Sequence, residues 1–381
     1  MFNRMQYYVL SRFITPFVVG SVFFVCFLVI FYAFRLVGIM ISRDVQIIDS
    51  LKMLMYLAVG FFPTVFPLST YFGINYSMSK LSEDSEFVAM RSFGMSKFKI
   101  LLPVLIFTTV LSILVFVMNM NLIPNYQKLF KNTMLKMTAK GVLTDIQPGQ
   151  FFNDIPGNIL YAKDVDQKTR QMKKLLLWSE ENDQFKVITA EKGILLKEFI
   201  DKSHTPSLRL HLNNGNILIK NKLNKDYQKI LFKEYDFPLL KGGGQVGKAS
   251  KEQFKTNTEL LHYINSKTMS LNNSKNISIK KSITKEIWLA KIAYWGRFVG
   301  SLQILLFTLL GFSLGITNSR SQSSKGGLLS FLFLVLYYLV YFTGVGLIKK
   351  GIVSAEIGSF MVVPIFLFIG IYQYKKIDWK V

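Results

Sequence analysis

FITPFVVGSVFFVCFLVIFYAF, residues 13–34, runs 22 residues without a charge before Arg35 ends it. A helix rises about 1.5 Å per residue, so about 20 apolar residues cover the roughly 30 Å of hydrocarbon in a bilayer. This stretch therefore reads as a membrane span. It is too long for a cleaved signal peptide and no small-x-small cleavage site follows it, so it reads as a retained anchor. Five further apolar runs fall at 54–78, 100–123, 298–317, 327–348 and 357–374. Six spans in a 3+3 arrangement result, and the polar insert of about 160 residues between the third and fourth is a separate domain.

Composition agrees. The 381 residues are 50% hydrophobic and 18% charged, which few soluble proteins of this length match. The net charge of +23 does not point to nucleic acid, because the lysines are scattered without the aromatic signatures of RNA or DNA folds. Beside a membrane it suits an anionic lipid or an anionic cargo; a Lys- and Asn-rich compositional bias explains it equally well. Cys26 is alone in the first span, so no intrachain disulfide exists. His204, His211 and His262 lack metal-ligand spacing, and no cofactor is implied.

Orientation follows from the short loops. Arg4, Arg12, Lys80, Arg91, Lys97, Lys99, Arg320, Lys325, Lys375, Lys376 and Lys380 share one side, which the positive-inside rule makes cytoplasmic. Arg43, Lys52, Lys349 and Lys350 oppose them on the other. Both termini are expected inside and the insert outside.

The expected organisation is a transmembrane half at 1–124, an extracytoplasmic domain with flanking segments at 125–285 and a second transmembrane half at 286–381. Within the insert, short apolar runs at Asn158–Ala162, Lys174–Trp178, Lys186–Ala190 and Ser207–Leu212 alternate with turn formers. Those are Pro156-Gly157, Asn182-Asp183 and Asn213-Asn214-Gly215. Strands at this spacing predict an antiparallel sandwich or jelly roll. A Gly-rich segment at 241–250, a helical pattern at 257–266 and a Ser/Asn/Lys-rich tract follow.

Three features invite a chemical reading. Gly242–Ala249 approaches the phosphate-binding loop G-x-x-x-x-G-K-[ST], but Ala249 stands where a magnesium-binding hydroxyl is needed. It reads as a flexible linker, and the chain is not expected to be an ATPase. The segment about 82–94 reads as a short helix: Ser82 as N-cap, Glu83, Asp84 and Glu86 in the first turns, Arg91 near the end and Gly94 as a left-handed stop. A helix lying on an anionic leaflet carries Lys and Arg on its polar face. This acidic one suits a protein partner, with an ordinary loop helix as the alternative. Arg35, after the 22 apolar residues of span one, and Arg297, at the opening of span four, are charges at membrane depth; for Arg35, anchoring by snorkelling and recognition of an anionic headgroup are both open. Pro63 and Pro67, with Gly60 and Gly73, imply a kinked or closely packed second span. No nucleophile elbow, paired carboxylates or metal site emerges.

Leu81–Ser96, LSEDSEFVAMRSFGMS, resembles the cytoplasmic coupling segment of the LptF/LptG-type permease family of lipopolysaccharide export. Phe66-Pro67-Leu68-Ser69, Pro148–Phe151, Thr189–Gly193, Leu210–Gly215 and Trp295-Gly296-Arg297 continue the resemblance in order along the chain. It implies an α-helical polytopic membrane protein with six transmembrane helices and an inserted periplasmic β-jellyroll. It also implies a second six-span permease, a cytoplasmic ABC ATPase dimer, a periplasmic jellyroll bridge protein, and lipopolysaccharide or another anionic glycolipid as cargo.

By the same resemblance Glu83, Glu86, Arg91 and Gly94 belong to the ATPase-coupling helix, with Glu86 at the contact and Gly94 shaping its end. Arg35 matches a basic position facing lipid phosphates, and Pro67 and Arg297 are expected to be structural. The bacterial inner membrane is the implied location. Energetics fit a driven exporter: burying a CH₂ is worth about 0.8 kcal/mol, so pulling one 14-carbon chain into water costs on the order of 10 kcal/mol. A membrane-anchored scaffold whose β domain captures a partner, and a membrane enzyme acting on lipids, are the competing classes.

Overall fold

The apolar runs become helices that outlast them, because the flanking residues continue the hydrogen-bonded ladder into polar surroundings. The computed structural model describes residues 4–41, 47–155, 157–166, 169, 171–181, 184–200, 205–221, 227–240, 251–273, 277–316 and 325–377. In chain order, α1 (Arg4–Ile41), α2 (Ile47–Glu83), α3 (Glu86–Ser92) and α4 (Lys97–Val117) lead to a π-helical turn at Met118–Leu122 and α5 (Ile123–Asp145). Then come β1 (Phe151–Ile155), β2 (Asn158–Asp166), β3 (Gln171–Glu181), β4 (Gln184–Ile200), β5 (Thr205–Asn221) and β6 (Tyr227–Leu240). After these lie α6 (Asn257–Asn273), α7 (Ile277–Gly315), α8 (Lys325–Lys349), α9 (Ala355–Phe360) and α10 (Val362–Lys376).

Among the described residues six helical stretches are long and apolar enough to cross a membrane, in the places the sequence assigns them. The helix α2, with 37 residues, is about 55 Å long by its rise, well over the roughly 30 Å of hydrocarbon in a bilayer. The Ser/Asn/Lys-rich tract is mostly helical, shared between α6 and the first turns of α7. The Gly-rich segment 241–250 lies outside the described residues.

The chain divides into two compact units, one of residues 1–30, 57–126 and 252–381 and one of residues 31–56 and 127–251. In the first, α7 is the most enclosed span, with 72% of its apolar window buried, against 6% for α1. Small residues make that enclosure possible. A Cβ on Gly315 of α7 would lie 2.6 Å from the Asn75 carbonyl oxygen of α2, and one on Gly73 would lie 3.1 Å from the Phe17 backbone of α1. Such close approach is how helices gain dispersion contact where lipid removes the hydrophobic drive. Polar ties add to it: Tyr71 Oη donates to the Ser330 carbonyl at 2.6 Å and Asn75 Nδ2 to Ser330 Oγ at 2.7 Å, joining α2 to α8.

In the second unit the six strands form one antiparallel sheet in chain order, β1 to β6. Its inward side carries a single core that includes Leu160, Leu177, Ile188, Leu210, Ile217 and Phe237. Asn213-Asn214-Gly215, read from sequence as a turn, lies inside β5. Asn214 takes φ 54° and, on β3, Lys174 takes φ 51°. On β3, Met172 and Leu175 are both buried although three positions apart, and on β5 so are Leu212 and, beyond Gly215, Ile217. The register is the same on either side of these sites, Lys173 facing Lys192 and Leu175 facing Ala190, then Lys192 facing Asn213 and Ala190 facing Gly215, so neighbouring strands step together and the apolar side stays inward as the sheet bends. The turn formers therefore mark a fold across long strands, and the sheet curls over its own core.

Candidate coupling site

The feature with the most definite geometry outside the spans is the connection from α2 to α4. It differs from the sequence reading at its start. Ser82 is buried in the last turn of α2, and α3 begins at Glu86 with Ser85 as its N-cap. Ser85 sits at φ 58°, ψ 11° and makes no side-chain cap. A non-glycine residue there costs about 1–2 kcal/mol. The reason for the shift is continuity: α2 keeps its helical ladder through Ser82, so the chain reverses only after Glu83. Glu83 thus ends α2 and Asp84 follows it in the turn, each with a carboxylate oxygen 3.6 Å from Lys80 Nζ, instead of opening α3.

The end of α3 is as read. Gly94, at φ 80°, donates its N–H to the Arg91 carbonyl at 3.0 Å, and Met95 N–H donates to the Met90 carbonyl at 3.2 Å. This is the paired closure that glycine permits at a helix end. Two residues later Ser96 caps α4, its Oγ accepting from Lys99 N–H at 3.3 Å. The signal for that cap, a Ser three residues before Lys99 at the head of an apolar run, is present in the sequence.

Seven residues cannot hold a helix in water alone, so α3 depends on what lies beneath it. Phe87 is wholly buried and Met90 nearly so. Both join a cluster with Val9 and Phe13 of α1, Met78 and Leu81 of α2, Ile100 and Val104 of α4, Phe312 of α7, and Ile377 just past α10. The Phe87 and Phe312 rings meet edge to face at 6.4 Å. The opposite side is apolar too: Val88 is 44% exposed, Phe93 76% and Phe98 54%.

Glu86 turns toward α1. Tyr8 Oη lies 2.8 and 2.9 Å from its two carboxylate oxygens, and Arg12 Nη2 is 3.6 Å from Oε1. On the far side of the segment, Lys97 Nζ donates to the Tyr374 carbonyl at 3.3 Å and stands over the Tyr374 ring. Gln6 Nε2 donates to the Lys99 carbonyl at 3.3 Å. The first turns of α1, the whole of α3, the start of α4 and the end of α10 are therefore one bonded assembly.

The other sequence-derived residues lie apart from it. Arg35 belongs to α1, and its side chain lies outside the described residues. Pro67 is buried within α2, which continues through it. Arg297 of α7 donates to Asn257 Oδ1 and to the Lys255 carbonyl, closing the start of α6 against α7. Thr256 and Glu259 complete that start as a reciprocal cap, Thr256 N–H to Glu259 Oε2 at 2.9 Å and Glu259 N–H to Thr256 Oγ1 at 3.3 Å. Tyr263 donates to Glu286 at 2.8 Å; burial first, then that carboxylate, raises its phenol above the ordinary range. Among the described residues no group of three or more His, Cys, Asp or Glu side chains could hold a metal.

Six spans with a β unit inserted between the third and fourth define a multi-pass membrane protein. Residues 7–376 match the lipopolysaccharide export system permease family LptF/LptG, and the chain belongs to that family. The family is one of transport permease subunits. Among curated proteins none matches the chain.

Proposed function

We propose that this chain is the transmembrane permease subunit of an ABC-type exporter. It takes lipopolysaccharide or a related anionic glycolipid from the outer leaflet of the bacterial inner membrane, and a separate cytoplasmic ATPase dimer hydrolyses the ATP. The observation that carries this reading is the setting of α3: Phe87 and Met90 root it in a cluster shared by five spans, while Val88 and Phe93 stay exposed. Buried aromatic anchors dominate protein interfaces, and exposed apolar side chains on a helix that opens with Glu86 suit a protein groove better than an anionic leaflet. Through the shared cluster, a displacement of α3 reaches α1, α2, α4, α7 and the end of α10.

The remaining parts follow in the same reading. Both termini are cytoplasmic and the insert is periplasmic. Val18, Val19, Val22, Phe23, Phe27 and Ile30 give α1 a broad exposed apolar face, on which the second six-span permease and the cargo chains fit. The sheet ends at β6, whose outer edge has no strand partner among the described residues and whose Ile230 and Leu231 are exposed. An edge of this kind accepts another strand, here that of the periplasmic jellyroll bridge. Arg35 meets lipid phosphate.

Glu86→Ala is expected to weaken ATPase co-purification and ATP-driven lipid release while leaving the amount of membrane-inserted chain unchanged. Wild-type coupling in a reconstituted complex refutes that assignment. Arg35→Ala is expected to lower anionic-glycolipid affinity about tenfold or more, one charge-assisted hydrogen bond being worth about 1.5–3 kcal/mol. Photocrosslinking from a probe at residue 34 measures it, and an unchanged lipid yield removes Arg35 from the cargo path.

A further inference from the structure

Resting on the docking role of α3, we propose that Tyr8 and Arg12 are positioning residues: they hold the Glu86 carboxylate in one orientation for the ATPase and tie it to the first turns of span one. Glu86 opens α3 behind a cap residue that contributes no side-chain bond, so the capping geometry does not orient it. Tyr8 does. Arg12 Nε donates to Tyr8 Oη at 2.8 Å, and its guanidinium stands 5.0 Å above the Tyr8 ring. With its oxygen occupied from that side, the phenol aims its one proton at Glu86, between oxygens 2.8 and 2.9 Å away.

Residues 8 and 12 are one helical turn apart and so share a face of α1. The adjacent Val9 and Phe13 are fully buried in the same cluster as Phe87. The donors therefore stand on a backbone that is itself held against α3, 78 positions away in sequence.

The arrangement leaves room for a partner. The Glu86 side chain is 32% exposed, and a carboxylate offers about four acceptor sites, of which the single Tyr8 proton satisfies only part. A cation arriving from the ATPase meets a carboxylate whose rotamer freedom has already been removed, a saving of about tenfold in affinity. Glu86 thus has two sets of contacts, one inside the chain and one outside, and the inner set joins docking to span one.

The experiment is a double-mutant cycle on the dissociation constant of the co-purifying ATPase, using the full-length chain with its permease partner in nanodiscs. Tyr8→Phe, which removes one oxygen, is expected to weaken binding about fivefold. In a Glu86→Ala background it is expected to change nothing, because the group it positions is gone. Arg12→Gln behaves as Tyr8→Phe does, and Arg12→Lys restores part of the loss. Equal weakening by Tyr8→Phe in both backgrounds overturns the proposal, since a packing defect acts without Glu86. So does a Tyr8→Phe variant that binds as wild type while Glu86→Ala does not, which leaves α3 as the docking element. Wild-type binding by Glu86→Ala itself removes the docking role of Glu86, and the positioning role falls with it.

Discussion

Phe87→Ala is expected to abolish the proposed ATPase docking while the spans stay inserted. The ring is completely buried beneath a helix of only seven residues. Emptying such a site costs about 3–5 kcal/mol, and the cost falls on α3, which has little else to hold it. A penalty of about 3 kcal/mol corresponds to about a hundredfold in the population of the docked conformation. Phe87→Leu keeps most of the apolar volume and loses less than about 1.5 kcal/mol, so it retains docking. Hydrogen exchange over residues 86–92, read beside ATPase co-purification, checks both halves. If α3 stays protected in Phe87→Ala, or if the ATPase binds normally to a frayed α3, the helix is not held as described or is not the docking element.

The second large effect is expected in the β unit. Gly215→Val is expected to unfold the sheet. A Cβ at this position would lie 2.6 Å from Phe232 Cζ and press on the Thr189 carbonyl of β4, a backbone atom that cannot move without breaking the β4–β5 ladder. Overpacking of this kind costs about 3 kcal/mol or more. Gly193→Ala is the control. Its nearest obstacle is a Leu175 methyl 2.6 Å away, the far end of a flexible side chain, so a small loss is expected. Limited proteolysis should cut residues 151–240 of Gly215→Val rapidly and leave the helical unit intact. A protease-resistant Gly215→Val shows that the strands can separate there at little cost.

The contrast between these glycines and Gly94 shows what a sequence can carry. Gly94 was legible because its requirement is local: φ 80° at a helix end, with nothing within 4 Å of the place a Cβ would occupy. The requirement at Gly215 comes from β4 and β6 crossing beside it. From sequence it read, with Asn213 and Asn214, as a turn. Ser82 was misplaced for a related reason. Its pattern of hydroxyl followed by acids is a good cap in isolation, and the last turn of α2, which packs through Leu81 into the cluster beneath α3, overrode it.

The sequence by itself determined the six spans, the place of the insert, the strand-rich character of that insert and the acidic segment that ends in Gly94. Each depends on the length or period of a short stretch, which apolar burial and backbone geometry impose residue by residue. The tertiary structure decided where α3 begins, that the strands form one sheet bent across Lys174 and Asn214, and that Arg297 closes α6 against α7. It also gave Glu86 its partners in Tyr8 and Arg12. These depend on groups brought together from distant parts of the chain, and a hydrogen bond or a close backbone crossing leaves no period in the sequence from which it could be read.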